Sequence, residues 1–344
     1  MSMDLDIKNF LSLRDDITVI DVRSPMEYES GHILGAENIC MFNDDERAEI
    51  GTIYKQTGKE KAVERGLEII GPKMSDIVKH AKKLSHDRKI GVYCARGGMR
   101  SASIAWLLEI SGFEVFRLVG GYKSYRNYLE FTVSSMGKNV KLVSGPTGSG
   151  KTEILKILKS KGEQTIDLEE MASHRGSAFG ALGLKAQPTT ETFMNILYEE
   201  LLKMDDNRTI WVENESKLIG SVYIPDAFFS IMRKSKILSI EVPLQSRIDR
   251  ILKEYGCFDK ELLKDAMNRI SKRLGGDNLR YAIEAIDNGK IANAIKIALL
   301  YYDKAYRMAT DKHKEGEIYR LQFSNESPDE IADKIIEWDK EQNK

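Results

Sequence analysis

Residues 145–152 read Gly-Pro-Thr-Gly-Ser-Gly-Lys-Thr, a string that restricts the fold more than any other in the chain. It fills the pattern G-x-x-x-x-G-K-[ST], follows the short apolar run KLVS, and leads into EILKILKS, whose apolar residues recur at helical spacing. Glycines at such a strand-to-helix turn let backbone N–H groups converge on phosphate oxygens. Lys151 adds a point charge and the helix N-terminus adds its dipole. Gly145, Gly148, Gly150, Lys151 and Thr152 are therefore the expected phosphate ligands, with Thr152 placed to hold a magnesium ion. The loop recognises a phosphate chain and not the group attached to it. An acid is expected at the end of a later strand, and TIWVENES offers Glu213 and Glu215 in place of the usual aspartate. Arg247 and Arg250 follow another strand, either reaching over phosphates or forming a solvated helix face.

A chain of 344 residues suits two cores rather than one. Upstream of the phosphate loop, ITVIDVR (17–23), IGVYC (90–94) and FEVFRLVGG (113–121) are short β-branched runs. RSASIAWLLEISG lies between the last two as a helix that Gly112 stops. Strand, helix, strand in this order predicts a parallel sheet with right-handed crossovers, and residues 44–84 read as a helical hairpin region. The pattern turns polar and aromatic over 122–139, where the boundary is expected, giving domains 1–133 and 138–344. The second domain is again α/β, with strands at TIWVE, KILSIEV and IYRLQF and a helical C-terminal part. Ser327, Pro328 and Glu330 form a capping box that opens a last helix.

Composition excludes several classes. Lys and Arg total 52 against 53 Asp and Glu, so any polyanion site must be local. No apolar run approaches the roughly 18 residues of a membrane span, and the acidic start MSMDLDIKNF is unlike a signal peptide, so a cytoplasmic protein is expected. Three widely spaced cysteines form neither a disulfide framework nor a zinc motif.

One of them stands apart. Cys94 ends an apolar run and opens the loop ARGGMR, at the strand end where α/β sheets place ligands. Turning N–H groups, Arg96, Arg100 and a helix N-terminus all favour thiolate over the unperturbed pKa of about 8.5. Gly97 and Gly98 have no packing purpose there, so Cys94 is expected to be a nucleophile, whereas Cys40 and Cys257 are expected to be small buried hydrophobes.

YCARGGMRS, DVRSPMEYESGHILGA (21–36) and Gly120-Gly121 together resemble the rhodanese family of sulfurtransferases over roughly the first third of the chain. The resemblance implies a loop cysteine carrying a persulfide or its selenium equivalent, with His32 and Asp21 structural. Cys94 and Arg100 are separated by five residues, one more than in common single-domain rhodaneses, which is the loop size of rhodanese-fold phosphatases and fits a larger group than sulfane sulfur. A rhodanese-like domain before a P-loop NTPase-like α/β domain is an unusual pairing. With ERAEIGTIYKQTGKEKAVERG, DLEEMASHRGSAFG, WVENESKLIG and RISKRLGG, the chain resembles the tRNA 2-selenouridine synthase family over nearly its whole length.

That resemblance implies a transferase that replaces sulfur by selenium in wobble-position 2-thiouridine of tRNA. It implies selenophosphate as selenium donor, an S-geranyl intermediate made from geranyl diphosphate, and selenophosphate synthase as a possible partner. Cys94 and Arg100 would handle selenium, Gly66 would be a position where a side chain crowds the thiol loop, and Lys151 with Thr152 would hold the diphosphate and its metal. His174, Arg175 and Ser177 either line the second site or form a tight connection. Arg269, Lys272, Arg273 and Arg280, with Tyr122, Tyr125, Arg126 and Tyr128, are candidate tRNA contacts, set against solvated charge and interdomain packing. Three alternatives stay open: a C-x5-R phosphatase, in which no acid is evident beside Arg100; an NTP-dependent RNA-processing kinase with a rhodanese module; and a selenium carrier. No apolar pocket for a prenyl chain is locatable from sequence.

Overall fold

The computed structural model describes residues 2–135, 137, 139–310, 318–324 and 326–342; residues 138 and 344, the expected limits of the second domain, lie outside the described residues. The chain divides into two compact units, Met1–Val133 and Ser134–Lys344.

The first unit is a five-stranded parallel sheet in the order β1-β5-β4-β2-β3, with β1 Met3–Leu5, β2 Thr18–Asp21, β3 Glu37–Asn38, β4 Lys89–Tyr93 and β5 Glu114–Leu118. The strands expected at 17–23, 90–94 and 113–121 are its three central ones. The two edge strands, of three and two residues, are too short to carry a period. β4 pairs on both sides, and Ile90, Val92 and Tyr93 are buried, so its end is a fixed platform for Cys94. The helix Met99–Ile110 follows; beyond it Gly112 takes φ +84°, donates to Glu109 O at 2.9 Å and turns the chain into β5. Residues 44–84 form three helices, Asp44–Gln56, Lys59–Ile70 and Met74–Leu84.

The boundary expected within 122–139 falls between Val133 and Ser134, but the segment before it is regular structure and not a linker. Gly121–Ser135 is a helix, and Tyr122, Tyr125, Leu129 and Val133 are buried along it. Their spacing of three and four residues is an amphipathic stripe; aromatic residues on that stripe serve the core of the first unit.

The second unit has its own five-stranded parallel sheet, β12-β11-β6-β8-β7, with β6 Val140–Ser144, β7 Gln164–Ile166, β8 Ile210–Glu213, β11 Lys236–Glu241 and β12 Ile318–Gln322, and a separate antiparallel pair of β9 Leu218–Ile219 and β10 Val222–Tyr223. β6 is central and buried at all five positions, the run expected of a strand covered on both faces. The capping box at Ser327 opens the helix Pro328–Gln342, with Glu330 N donating to Ser327 Oγ and Ser327 N donating to Glu330 Oε2. Helices between Leu244 and Thr310 build a distinct apolar layer around Leu263, Met267, Ile286 and Ala298.

Candidate active sites

In the second unit, the loop after β6 turns through Gly148 (φ +82°) and Gly150 (φ +92°) before the helix Lys151–Ser160. Only glycine takes these angles without strain, and a Cβ on Gly145 would lie 2.7 Å from Ile240 O. Arg247 fits neither sequence reading because it is buried, whereas Arg250 stands at the loop on the cavity wall, its guanidinium against Gly150. Arg247 is buried, donates from Nε to Thr147 O at 2.8 Å and pairs with Asp303. Arg250 donates from Nη1 to Gly148 O at 2.8 Å. Both arginines thus hold carbonyls of the loop in place.

At the start of the helix the Thr152 hydroxyl lies 3.2 Å from Glu213 Oε1 and 3.2 Å from Glu169 Oε2. Glu213 ends β8, beside β6, and is fully buried; the backbone N–H of Glu169 donates to its second oxygen at 3.1 Å. Burial, then the charges of Glu169, Asp167 and Glu215, push the Glu213 carboxyl well above the usual range. Burial and Glu215 push Glu169 up to about 7. Carboxylates raised in this way beside a hydroxyl fit a hard cation, which would relieve their repulsion. Among the described residues no group of three His, Cys, Asp or Glu could hold a metal by itself, so phosphate oxygens and water would supply the remaining ligands. Glu169 was not singled out in the sequence, where it is one acid among several in DLEEM.

A cavity of about 1210 Å3 starts at this loop. Its polar end includes Lys151, Thr152, Glu169, Arg175, Ser177 and Glu215, and its apolar walls include Ile251, Leu263, Met267, Ile286, Ile295 and Leu299 from the helical layer. Arg175 is tied down by Glu254 at 2.6 Å and donates to Leu182 O, and Ser177 Oγ accepts from Phe179 N. The loop is thus both a tight connection and a wall of the cavity. His174 is not on that wall; burial, then the charge of Arg269, lowers its pKa.

In the first unit, Cys94 is buried and its Sγ lies 3.3 Å from Ser101 Oγ, which in turn donates to Gly98 O at 3.1 Å. Burial raises the thiol pKa. The Ser101 hydroxyl, the N–H groups of Ser101 and Arg96, and the charge of Arg100 outweigh it and hold Cys94 below the ordinary thiol value. Arg96 acts through its backbone N–H, and Ser101 is a participant that the sequence reading missed. Arg100 makes a two-point pair with Glu27, at 2.6 and 3.2 Å. An acid therefore does stand beside Arg100, contrary to expectation. Burial alone would raise Glu27, but Arg100 outweighs it and keeps the carboxyl lowered, ill suited to donate a proton. Asp21 and Arg23 form a buried bidentate pair, and His32 stacks on Tyr28 at 3.9 Å, both structural as expected.

Gly66 faces a different neighbour from the one expected. A Cβ there would meet the Phe42 ring at 3.4 Å and Ile50 at 3.9 Å, and not the thiol loop. Cys257 is exposed and Cys40 half-buried, so neither is the core hydrophobe expected. Tyr125 is fully buried, which removes it as a base-stacking surface, and Arg126 is half-buried on the same helix. Tyr122 is buried under Arg23, 4.0 Å from its ring, while Tyr128 is half-buried. Arg269, Lys272, Arg273 and Arg280 are all exposed; Arg269 donates to Ala178 O, Arg273 to the Tyr301 hydroxyl, and Arg280 pairs with Asp277. Among the described residues no helix is long and apolar enough to cross a membrane.

Residues 6–128 match the rhodanese-like domain family, and residues 138–338 match the family described as tRNA 2-selenouridine synthase AAA domain. The tRNA 2-selenouridine synthase of Nitrosomonas europaea is 33% identical over 342 residues, covering 85% of this chain and 88% of that protein. That of Bdellovibrio bacteriovorus is 42% identical over 256 residues, covering 70% and 65%, and that of Shewanella frigidimarina 32% over 344 residues, covering 90% and 92%. A thiol loop and a phosphate loop in this order, a match specific to the second unit, and relatives aligned across most of the chain lead to one assignment: the chain belongs to the tRNA 2-selenouridine synthase family.

Proposed function

We propose that this protein replaces sulfur by selenium in 2-thiouridine at the wobble position of tRNA, with prenylation of the sulfur as the enabling step. The observation that carries the reading is the cavity at the phosphate loop, whose polar end at Lys151 and Thr152 passes into an apolar chamber between helices. A nucleotide needs polar partners beyond its phosphates; a prenyl diphosphate needs an apolar channel. The thiocarbonyl sulfur attacks C1 of geranyl diphosphate, the C–O bond breaks, pyrophosphate leaves, and the base loses its N3 proton. Lys151 and the loop N–H groups stabilise the charge that develops on the leaving diphosphate. A magnesium ion, when bound, would add charge neutralisation there, with Thr152 and Glu213 as its protein contacts.

Alkylation makes C2 electrophilic and turns sulfur into a leaving group. The Cys94 thiolate then attacks C2 and a prenyl thiolate departs. The selenium of selenophosphate attacks C2 in turn, Cys94 leaves as thiolate, and water cleaves the P–Se bond so that phosphate is released and selenium stays on C2. The lowered thiol of Cys94 supports this nucleophilic role, with Arg100 and loop N–H groups available to the phosphate released from selenophosphate. A selenophosphate synthase is the natural supplier of that donor. Exposed Lys272 and Arg273 are the basic surface offered to tRNA.

The test is mass analysis of nucleosides after incubating the protein with tRNA bearing 2-thiouridine and geranyl diphosphate, then selenophosphate. A geranylated nucleoside that converts to selenouridine is expected, with the first step lost in Lys151→Ala and the second in Cys94→Ala. Nucleotide binding at the loop, with no new nucleoside mass, would sink the reading and favour an NTP-dependent enzyme.

A further inference from the structure

The cleft over Cys94 has walls that selenium delivery does not need. It encloses about 1240 Å3, above the roughly 300–1,000 Å3 of ordinary small-ligand pockets. Its inner sides include Met41, Phe42, Ile50, Val63, Ile70 and Leu107. Much of this wall comes from the helices Asp44–Gln56 and Lys59–Ile70, between β3 and β4. The first of these helices has no fully buried residue, and its Ile50 and Tyr54 line the cleft.

At the rim, Tyr54, Leu67, Met99 and Trp106 are each more than half exposed. Four large apolar side chains around one opening form the kind of patch that marks a binding surface. The charged residues of the cleft are Arg47, Lys55, Lys59, Arg96 and Arg100 against a single carboxylate, Glu27. Selenophosphate is small and polar; it accounts for the cations but not for the apolar walls. A ligand with an anionic head and an apolar tail accounts for both.

We propose that this cleft is a second prenyl subsite, which holds the alkyl chain of an S-prenylated 2-thiouridine against Ile50, Leu67 and Trp106 while the nucleotide phosphate meets the cationic rim and C2 of the base approaches Cys94. The assignment rests on the reading above that an S-prenylated base is the intermediate. It gives the prenyl group a task after alkylation. The chain anchors the base at Cys94, so that only the activated base, and not 2-thiouridine itself, is retained there.

The experiment measures binding of the 5′-monophosphate of S-geranyl-2-thiouridine to the full chain, by calorimetry and by tryptophan emission. Trp106 is the only tryptophan in residues 1–133. The S-geranyl nucleotide is expected to bind at least about tenfold tighter than its S-methyl analogue, as burial of several CH2 groups requires. It should also perturb an emission component that is missing in Trp106→Phe. Leu67→Glu and Tyr54→Glu, both at exposed positions, should weaken geranyl-nucleotide binding about tenfold or more and leave S-methyl binding little changed. Equal affinity for the two nucleotides, or wild-type affinity in both glutamate variants, would overturn the proposal. Binding that follows this pattern in a protein that forms no geranylated base from geranyl diphosphate would keep the subsite and reject the prenylation reading.

Discussion

The Thr152 hydroxyl and the Glu213 carboxylate lie 3.2 Å apart at the junction of the phosphate loop and its helix. Register places Val143 of β6 opposite Glu213 of β8, so the acid is delivered to the loop by strand pairing. Removing either group should disable the same cation contact. Thr152→Ala and Glu213→Gln are each expected to reduce magnesium-dependent affinity for pyrophosphate by about tenfold or more, and the double variant to lose little beyond the larger single effect. Calorimetry with and without magnesium reads this directly; full additivity would mean that the two side chains act on different things.

Glu169 gives the second unit a stability that depends on pH. Its carboxyl is raised from 4.5 to about 7 in the folded chain, by burial and then by Glu215. Between these values the folded state holds more protons than the unfolded state, so stability must fall as pH rises. In EDTA, melting of the second unit should drop between pH 5 and 7, on the order of 1 kcal/mol per pH unit, which is about 2–4 °C for a unit of this size. Glu169→Gln should reduce the slope without abolishing it, because Glu213 is raised in the same direction. A flat wild-type profile would refute the burial argument.

The thiol makes the opposite kind of statement. Ser101 is the largest influence lowering the pKa of Cys94, ahead of Arg100. Ser101→Ala removes the hydroxyl and should move the pH profile of Cys94 alkylation upward, lowering the iodoacetamide rate at pH 7 several-fold. Cys40 is pushed up by burial, and Cys257 is silenced by running the series in a Cys257→Ser background. An unchanged profile would assign the lowered pKa to the loop N–H groups and Arg100 alone.

Both reactive loops were legible in the sequence because each needs glycines and cations at fixed spacing, whatever the rest of the fold does. The Arg247 and Arg250 roles were not, since only the packed structure shows that their partners are the carbonyls of Thr147 and Gly148. Glu169 reaches Thr152 through the turn after β7, and a three-residue strand leaves no periodic signal. The apolar cavities escaped for a different reason. Ile251, Met267 and Ile295 have the spacing of core residues, and sequence periodicity does not distinguish a wall of a cavity from a filled core.

The thiol loop separates two glycines that the sequence treated alike. Gly97 takes φ +64°, and a Cβ there would stand 2.6 Å from Gly120 N and 2.9 Å from Leu118 O. These are backbone atoms at and just beyond the end of β5, where Leu118 pairs with Leu5 of β1, and they cannot yield as a side chain does. Gly121 is more confined still, with a Cβ 2.1 Å from Cys94 O and 2.5 Å from Gly97 N. Gly98 is open, with nothing within 4 Å of such a Cβ and no left-handed angle to strain. Gly98→Ala should therefore retain wild-type melting and Cys94 alkylation. Gly97→Ala and Gly121→Ala should each cost about 1–3 kcal/mol or more through strain and clash and displace the N–H groups that lower the thiol pKa. Melting and alkylation rates of the three variants decide it. A Gly98→Ala as damaged as Gly97→Ala would mean that the loop needs freedom at both positions and that its fixed shape is not what activates the cysteine.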